Sequence, residues 1–312
     1  MTWKRILAVV LTLGSLYFVI AVLVSQWDDI RGLVDVQTLA LFVAATTPFY
    51  IVTAISGALA WSFAFRSTGE SMPLVAGLRV HLLSQIGKYF PGNVGHFVGR
   101  LGMLRLEGYS VSKGAVSIVL EILWIIGAAA ALSVYALFTG ALSIVENAHE
   151  IAGWLPLLVL LLAFVTPNLM ILIFNMMPER ARTMLGFTGK IRRPPEQVVL
   201  GCYALYFLNF AINGAILVIG LHWLFDVQVN DVLLVISLHA VVWLLGFILP
   251  GAPGGLGVRE ALFVLLFGSL YGAGIVATTA VVMRVISVLG DVFAFGLGIL
   301  LSRFFRTPRV TA

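Results

Sequence analysis

The sequence predicts an all-α, polytopic integral membrane protein, and three observations carry that reading. Charged residues make up 11% of the chain and hydrophobic ones 61%, where soluble domains carry about 25% charged residues. Apolar runs near or above the ~20 residues that cross a bilayer as a helix recur along the whole length. Two further apolar regions are broken by Pro and Gly and carry Arg. Such irregular backbone survives at membrane depth where protein or a wet cavity covers it. A β-barrel would show short alternating segments instead. With a mean hydropathy of +1.06, nothing reads as a separate soluble domain, and the longest polar loop is 178–197.

The opening stretch, 1-MTWKRILAVVLTLGSLYFVIAVLVSQW-27, has a basic start and an apolar core. That core is longer than a signal-peptide h-region and no A-x-A-like site ends it, so it reads as an uncleaved first helix. Spans are expected near 6–24, 39–65, 113–139, 151–176, 198–223 and 273–302. Between them lie two awkward regions, 73–110 and 231–271. Each is too interrupted for a clean pair of crossings, and the apolar part of 260–271 is too short to span. Pro48 and Pro167 are expected to kink their helices.

Loop charges orient the chain. If both broken regions are re-entrant, Lys4, Arg5, Arg66, Arg105 and Lys113 share one face with the cluster Arg180, Arg182, Lys190, Arg192 and Arg193 and with the tail Arg303, Arg306 and Arg309. The opposite face receives 28-DDIRGLVD-35, 146-ENAHE-150 and 226-DVQVND-231. The expectation is a multi-pass protein of an inner (cytoplasmic) membrane with both termini cytoplasmic. Loop placement accounts for the net charge of +5 without nucleic-acid binding. The single Cys202 rules out a disulfide framework or a Cys-based metal site within one chain.

The two breaks match each other. Residues 87–100 and 246–259 both read G-x-x-x-P-G-x-x-G-x-x-x-x-R, with five identities in register. Pro91 and Pro250 lack an N–H and end a helix. Gly92, Gly95, Gly251, Gly254, Gly255 and Gly257 permit tight bends. Each half can be written as helix, helix, re-entrant segment, helix, the first half starting inside and the second outside. The expected organisation is thus one membrane domain, 1–312, built of two inverted-topology repeats, 1–140 and 151–303, as in many secondary transporters.

Where a broken helix restarts, free N–H groups and a positive dipole end face the midplane. Arg100 and Arg259 each lie nine residues after the Pro. With Lys88 they would form a cationic pocket suited to phosphate, pyrophosphate or carboxylate, since Arg offers a planar fork to phosphate. His96, inside the first break, is a further contact for a head group. The plainer alternative is that these arginines snorkel or pair with Glu107 and Glu260.

Glu121, Arg284 and Asp291 are ionisable residues inside spans, each of which requires a partner or a wet cavity. They serve either as coupling groups or as a structural bridge such as Glu121–Arg284. His81 and His239 read as core residues. The histidines lack metal-site spacing, so neither metal nor cofactor is expected. Asn209 and Asn213 share a helical face and would hydrogen-bond a neighbouring helix.

The pairing of 88-KYFPGNVGHFVGR-100 with 249-LPGAPGGLGVREALF-263 on this hydropathy profile resembles the lysylphosphatidylglycerol synthase transmembrane-domain family, a flippase-like membrane region. The motif residues are Lys88, Pro91, Gly92, Gly95, His96 and Arg100 in the first break. In the second they are Pro250, Gly251, Gly254, Gly255, Gly257, Arg259 and Glu260. The resemblance implies handling of lipids or lipid-linked head groups. Lysyl-transferring members carry a large soluble aminoacyl-transfer domain that these 312 residues lack. The expectation is therefore a stand-alone, non-enzymatic member: a flippase binding an anionic phospholipid or polyprenyl-linked lipid. The alternative is a lipid-binding subunit that scaffolds an envelope-lipid synthase or glycosyltransferase through the basic loop 178-PERARTMLGFTGKIRRPPE-196.

Overall fold

A computed structural model describes residues 32, 34–89, 94–139, 155–184, 190–248 and 258–304. The span expected at 6–24 and the break residues Pro91, Gly92, Pro250, Gly251, Gly254, Gly255 and Gly257 lie outside the described residues.

All regular structure among the described residues is helical. The helices are α1 (Val36–Ser67), α2 (Leu74–Gln85), α3 (Gly95–Leu106), α4 (Val111–Phe138) and α5 (Leu155–Met176). They continue with α6 (Glu179–Met184), α7 (Glu196–Phe225), α8 (Val232–Ile248), α9 (Val258–Tyr271) and α10 (Ala273–Phe304). A short 3₁₀ turn, Ile86–Tyr89, extends α2. The helices α1, α4, α7 and α10 are long and apolar enough to cross a membrane. They coincide with four of the expected spans, and α5 occupies a fifth. This is a multi-pass membrane protein.

Local chemistry sets the ends. The Asp35 carboxylate accepts from the Thr38 N–H (3.0 Å) and caps α1, and the Ser110 hydroxyl accepts from the Lys113 N–H (3.4 Å) and caps α4. Each bond satisfies a donor that a helix start leaves open. The α9–α10 corner turns on Gly272 at φ +89°, a conformation L side chains resist.

Both broken regions resolve into pairs of short helices. At 1.5 Å per residue the 12-residue α2 and α3 are each about 18 Å long, below the ~30 Å of a hydrocarbon core. The outer ends of this pair are tied together. Glu70, ahead of α2, accepts from the Ser110 N–H beyond α3 at 2.9 Å, and Arg79 in the middle of α2 pairs with Glu107 just past α3 at 2.5 Å. In the second broken region, Leu234 and Val235 at the start of α8 share an apolar cluster with Phe267 and Tyr271 at the end of α9.

Helices approach closely where side chains are small, as membrane packing favours. Ala60 and Ala64 of α1 are fully buried against Cys202 of α7 and the α4 residues Ala128 and Ala129. Trp61 donates to the Ser117 hydroxyl at 3.0 Å, pinning α1 to α4. Ser237 of α8 inserts into the α4 backbone ladder: the Ala136 N–H donates to its hydroxyl (2.8 Å), which donates to the Leu132 carbonyl (2.7 Å).

Candidate functional site

A cavity of about 300 Å³ opens inside the bundle, walled by α1–α4 and α7–α10 with the 3₁₀ turn. Its lining includes every residue expected to bind substrate or couple: Lys88, His96, Arg100, Arg259 and Glu260, then Glu121, Arg284 and Asp291. The two broken regions and the helix after each therefore converge on one polar space.

Most of the cavity's charges come in pairs. Arg100 of α3 is 1% exposed and ion-pairs with Glu121 of α4, its guanidinium 4.7 Å from the Trp61 ring centre. His81 of α2 faces the other Glu121 oxygen at 3.8 Å. Lys88 pairs with the buried Asp291 at 2.6 Å, joining the first broken region to α10. The Tyr89 hydroxyl donates to the same carboxylate (2.5 Å), and Lys88 also reaches the Tyr50 hydroxyl at 3.4 Å. Arg284 donates to Glu260 through Nη2 (2.9 Å) and Nε (3.1 Å).

Arg259 is the exception. Among the described residues it pairs with no carboxylate, and its buried Nε has no hydrogen-bond partner. Its guanidinium stands 6.0 Å from the Trp243 ring centre. The stem of Arg259 lies on Gly246 of α8, where a Cβ would come within 2.5 Å of Cγ. At the equivalent place in the first break, Gly87 lies against backbone: a Cβ there would stand 2.7 Å from the Gly95 carbonyl carbon and the His96 nitrogen.

These pairings correct several expectations. Arg100 does not pair with Glu107, which takes Arg79; Arg259 does not pair with Glu260, which takes Arg284; and no Glu121–Arg284 bridge forms. Helix geometry gives the reason for the second. Consecutive residues on a helix do not face each other, so Glu260 turns to α10 while Arg259 turns elsewhere. His81 and His239, expected in the core, line the cavity. Asn209 bonds a neighbouring helix as expected, donating to the Thr53 carbonyl (3.2 Å), and both Asn209 and Asn213 face the cavity.

Sequence reasoning missed Tyr50, Tyr89, Tyr206 and Trp243 in the lining. Aromatic residues are common in apolar spans, and none carried a distinguishing signal except Tyr89, which adjoins Lys88. Among the described residues no cluster of His, Cys, Asp and Glu fits a metal ion.

A family model described as the lysylphosphatidylglycerol synthase TM region matches residues 5–294 of the chain. No curated protein sequence matches it.

Proposed function

Since the chain belongs to the lysylphosphatidylglycerol synthase transmembrane-region family, and so relates to lipid metabolism, we propose that it is a lipid transporter. It holds an anionic head group in the central cavity while the acyl or prenyl tails stay in the bilayer. The observation that carries this reading is Arg259, a cation facing a polar cavity inside an apolar bundle with no carboxylate partner among the described residues. An uncompensated cation in such a place is costly, and an anionic ligand offsets that cost.

The two broken regions are re-entrant in this reading, and the halves 1–140 and 151–303 are inverted repeats. The bond from the Ser110 N–H to Glu70 supports re-entry of the first region, because the residues before and after that helix pair come together. Rocking of the halves would break and remake the Lys88–Asp291 pair, which spans them. Arg100 and Lys88, already held by carboxylates, shape the pocket's field rather than grip the ligand.

Native mass spectrometry of the gently purified protein tests this, wild type beside Arg259→Ala. The expected result is an anionic lipid retained by the wild type and lost from the variant. Identical lipid profiles would instead favour the membrane-subunit reading, in which the basic loop at 178–196 recruits a synthase.

A further inference from the structure

We propose that the cavity selects a ligand bearing one net negative charge, a phosphodiester rather than a phosphomonoester or a diphosphate. This rests on the anionic head-group reading and narrows it.

Among the described residues the lining holds four cations, Lys88, Arg100, Arg259 and Arg284, against three carboxylates, Glu121, Glu260 and Asp291. One positive charge remains, with the lining histidines counted neutral at pH 7. The segments 90–93 and 249–257, which adjoin these residues in the chain, read FPGN and LPGAPGGLG and contribute no ionisable group. Three of the cations are matched one to one: Arg100 with Glu121, Lys88 with Asp291 and Arg284 with Glu260. The surplus is thus localised at Arg259.

A monoanion brings the cavity to neutrality. A dianion would leave one unmatched negative charge in a low-dielectric interior, or would have to draw a second cation from its carboxylate. Breaking a buried pair strands a buried charge, which is strongly unfavourable. The second observation is the set of unsatisfied polar atoms. Among the described residues Arg259 Nε is a buried donor without a partner, and Glu260 Oε2, on the next residue, is a buried acceptor without one. The Tyr206 hydroxyl and His96 Nδ1, on residues that also line the cavity, have no partner among the described residues either. A phosphodiester whose alcohol carries hydroxyls supplies an anionic oxygen for Arg259 and donors for Glu260 and its neighbours. A bare phosphomonoester supplies excess charge and fewer donors.

The test is competitive lipid binding to the purified full chain in neutral detergent, read by native mass spectrometry at pH 8. At that pH a phosphomonoester, with a second pKa of about 6, is a dianion. The probes share acyl chains: phosphatidylglycerol as the phosphodiester, phosphatidic acid as the phosphomonoester and phosphatidylcholine as the net-neutral control. Soluble glycerophosphoglycerol is the competitor that separates a lipid head group from a free phosphodiester.

The wild type is expected to prefer phosphatidylglycerol over phosphatidic acid by about tenfold or more, the direction like-charge penalties dictate. Glu260→Gln, which removes the counter-charge of Arg284 and raises the surplus to two, shifts the preference toward phosphatidic acid. Asp291→Asn, which does the same for Lys88, shifts it likewise and stands in should the first variant fold poorly. Equal or stronger wild-type binding of phosphatidic acid, or an unchanged ratio in a folded variant, overturns the single-charge assignment and leaves the anionic site standing. Retention of phosphatidylcholine as strong as that of either anionic lipid overturns the anionic site itself. Displacement of bound lipid by glycerophosphoglycerol assigns the specificity to the phosphodiester group whether or not it is attached to a lipid.

Discussion

Arg100 and Arg259 occupy the same place in their two breaks, yet their surroundings assign them different work. Arg100 is locked between Glu121 and the Trp61 ring and is almost wholly buried. Removing one member of a buried pair strands the other, at a cost of about 3–5 kcal/mol. Arg100→Ala is therefore expected to lower the thermal unfolding midpoint in detergent sharply. The paired replacement Arg100→Met with Glu121→Leu is expected to recover most of the loss, because apolar groups of similar volume often replace a buried pair at little cost. A midpoint in Arg100→Ala equal to that of the wild type would contradict this assignment. Arg259→Ala leaves no carboxylate stranded among the described residues, so its midpoint is expected to stay near the wild-type value while lipid retention falls. Both arginines were legible in the sequence because each trails a Pro/Gly break. Their partners were not: pairing depends on the rotation of each helix about its axis, and the apolar pattern of a membrane span leaves that rotation loosely specified.

The glycines of the two breaks show at the level of the element how one motif can meet different neighbours. Gly87 permits a backbone crossing, the 3₁₀ turn lying against the first turn of α3. A methyl group there meets main chain, which cannot swing aside, so Gly87→Ala is expected to destabilise the protein and lower its yield. Gly246 permits a side chain to lie flat: its neighbour is the stem of Arg259. Alanine at Gly246, near the end of α8, gains about 1 kcal/mol of helix propensity and pushes the Arg259 stem away. Gly246→Ala is thus expected to lower the unfolding midpoint less than Gly87→Ala does, a side-chain stem yielding where main chain cannot, and to lose anionic-lipid retention to the degree that Arg259→Ala does. A Gly246→Ala protein that keeps its lipid would show that the seat of Arg259 is not set by this contact. The spacing of the motif was readable because Gly and Pro punctuate strongly. What each glycine touches was not, since that belongs to the packing of the opposite element. Even the paired outer ends of α2 and α3 depend on a contact, Glu70 with Ser110, between residues 40 positions apart that share no pattern.

At the scale of the whole molecule, the exterior and the interior speak for the same environment. Leu158, Leu161, Leu162, Leu169 and Leu172 of α5 are about half exposed, a face that would be an aggregation site in water and is ordinary against lipid. The spans were legible because long apolar helices are the simplest signal a sequence carries. The short helices of the broken regions were legible as interruptions but not as elements, since hydropathy has no term for a helix too short to cross a bilayer. The order of spans fixes which side each loop faces, and a single accessible position separates the alternatives. In the re-entrant arrangement the α9–α10 corner lies on the face opposite the basic loop 178–196. In an arrangement where either broken region crosses once, the corner and that loop change their relation or the basic tail faces outward, against the distribution of Lys and Arg. Ala273 is exposed beside that corner and avoids the positive φ of Gly272. On a Cys202→Ser background, Ala273→Cys is expected to react with an impermeant thiol reagent added from outside spheroplasts. Arg192→Cys, in the basic loop, is expected to react only after the membrane is opened. Labelling of both positions from the same side would rule out re-entry of the second region, and with it the inverted relation of the two halves on which the transport reading depends.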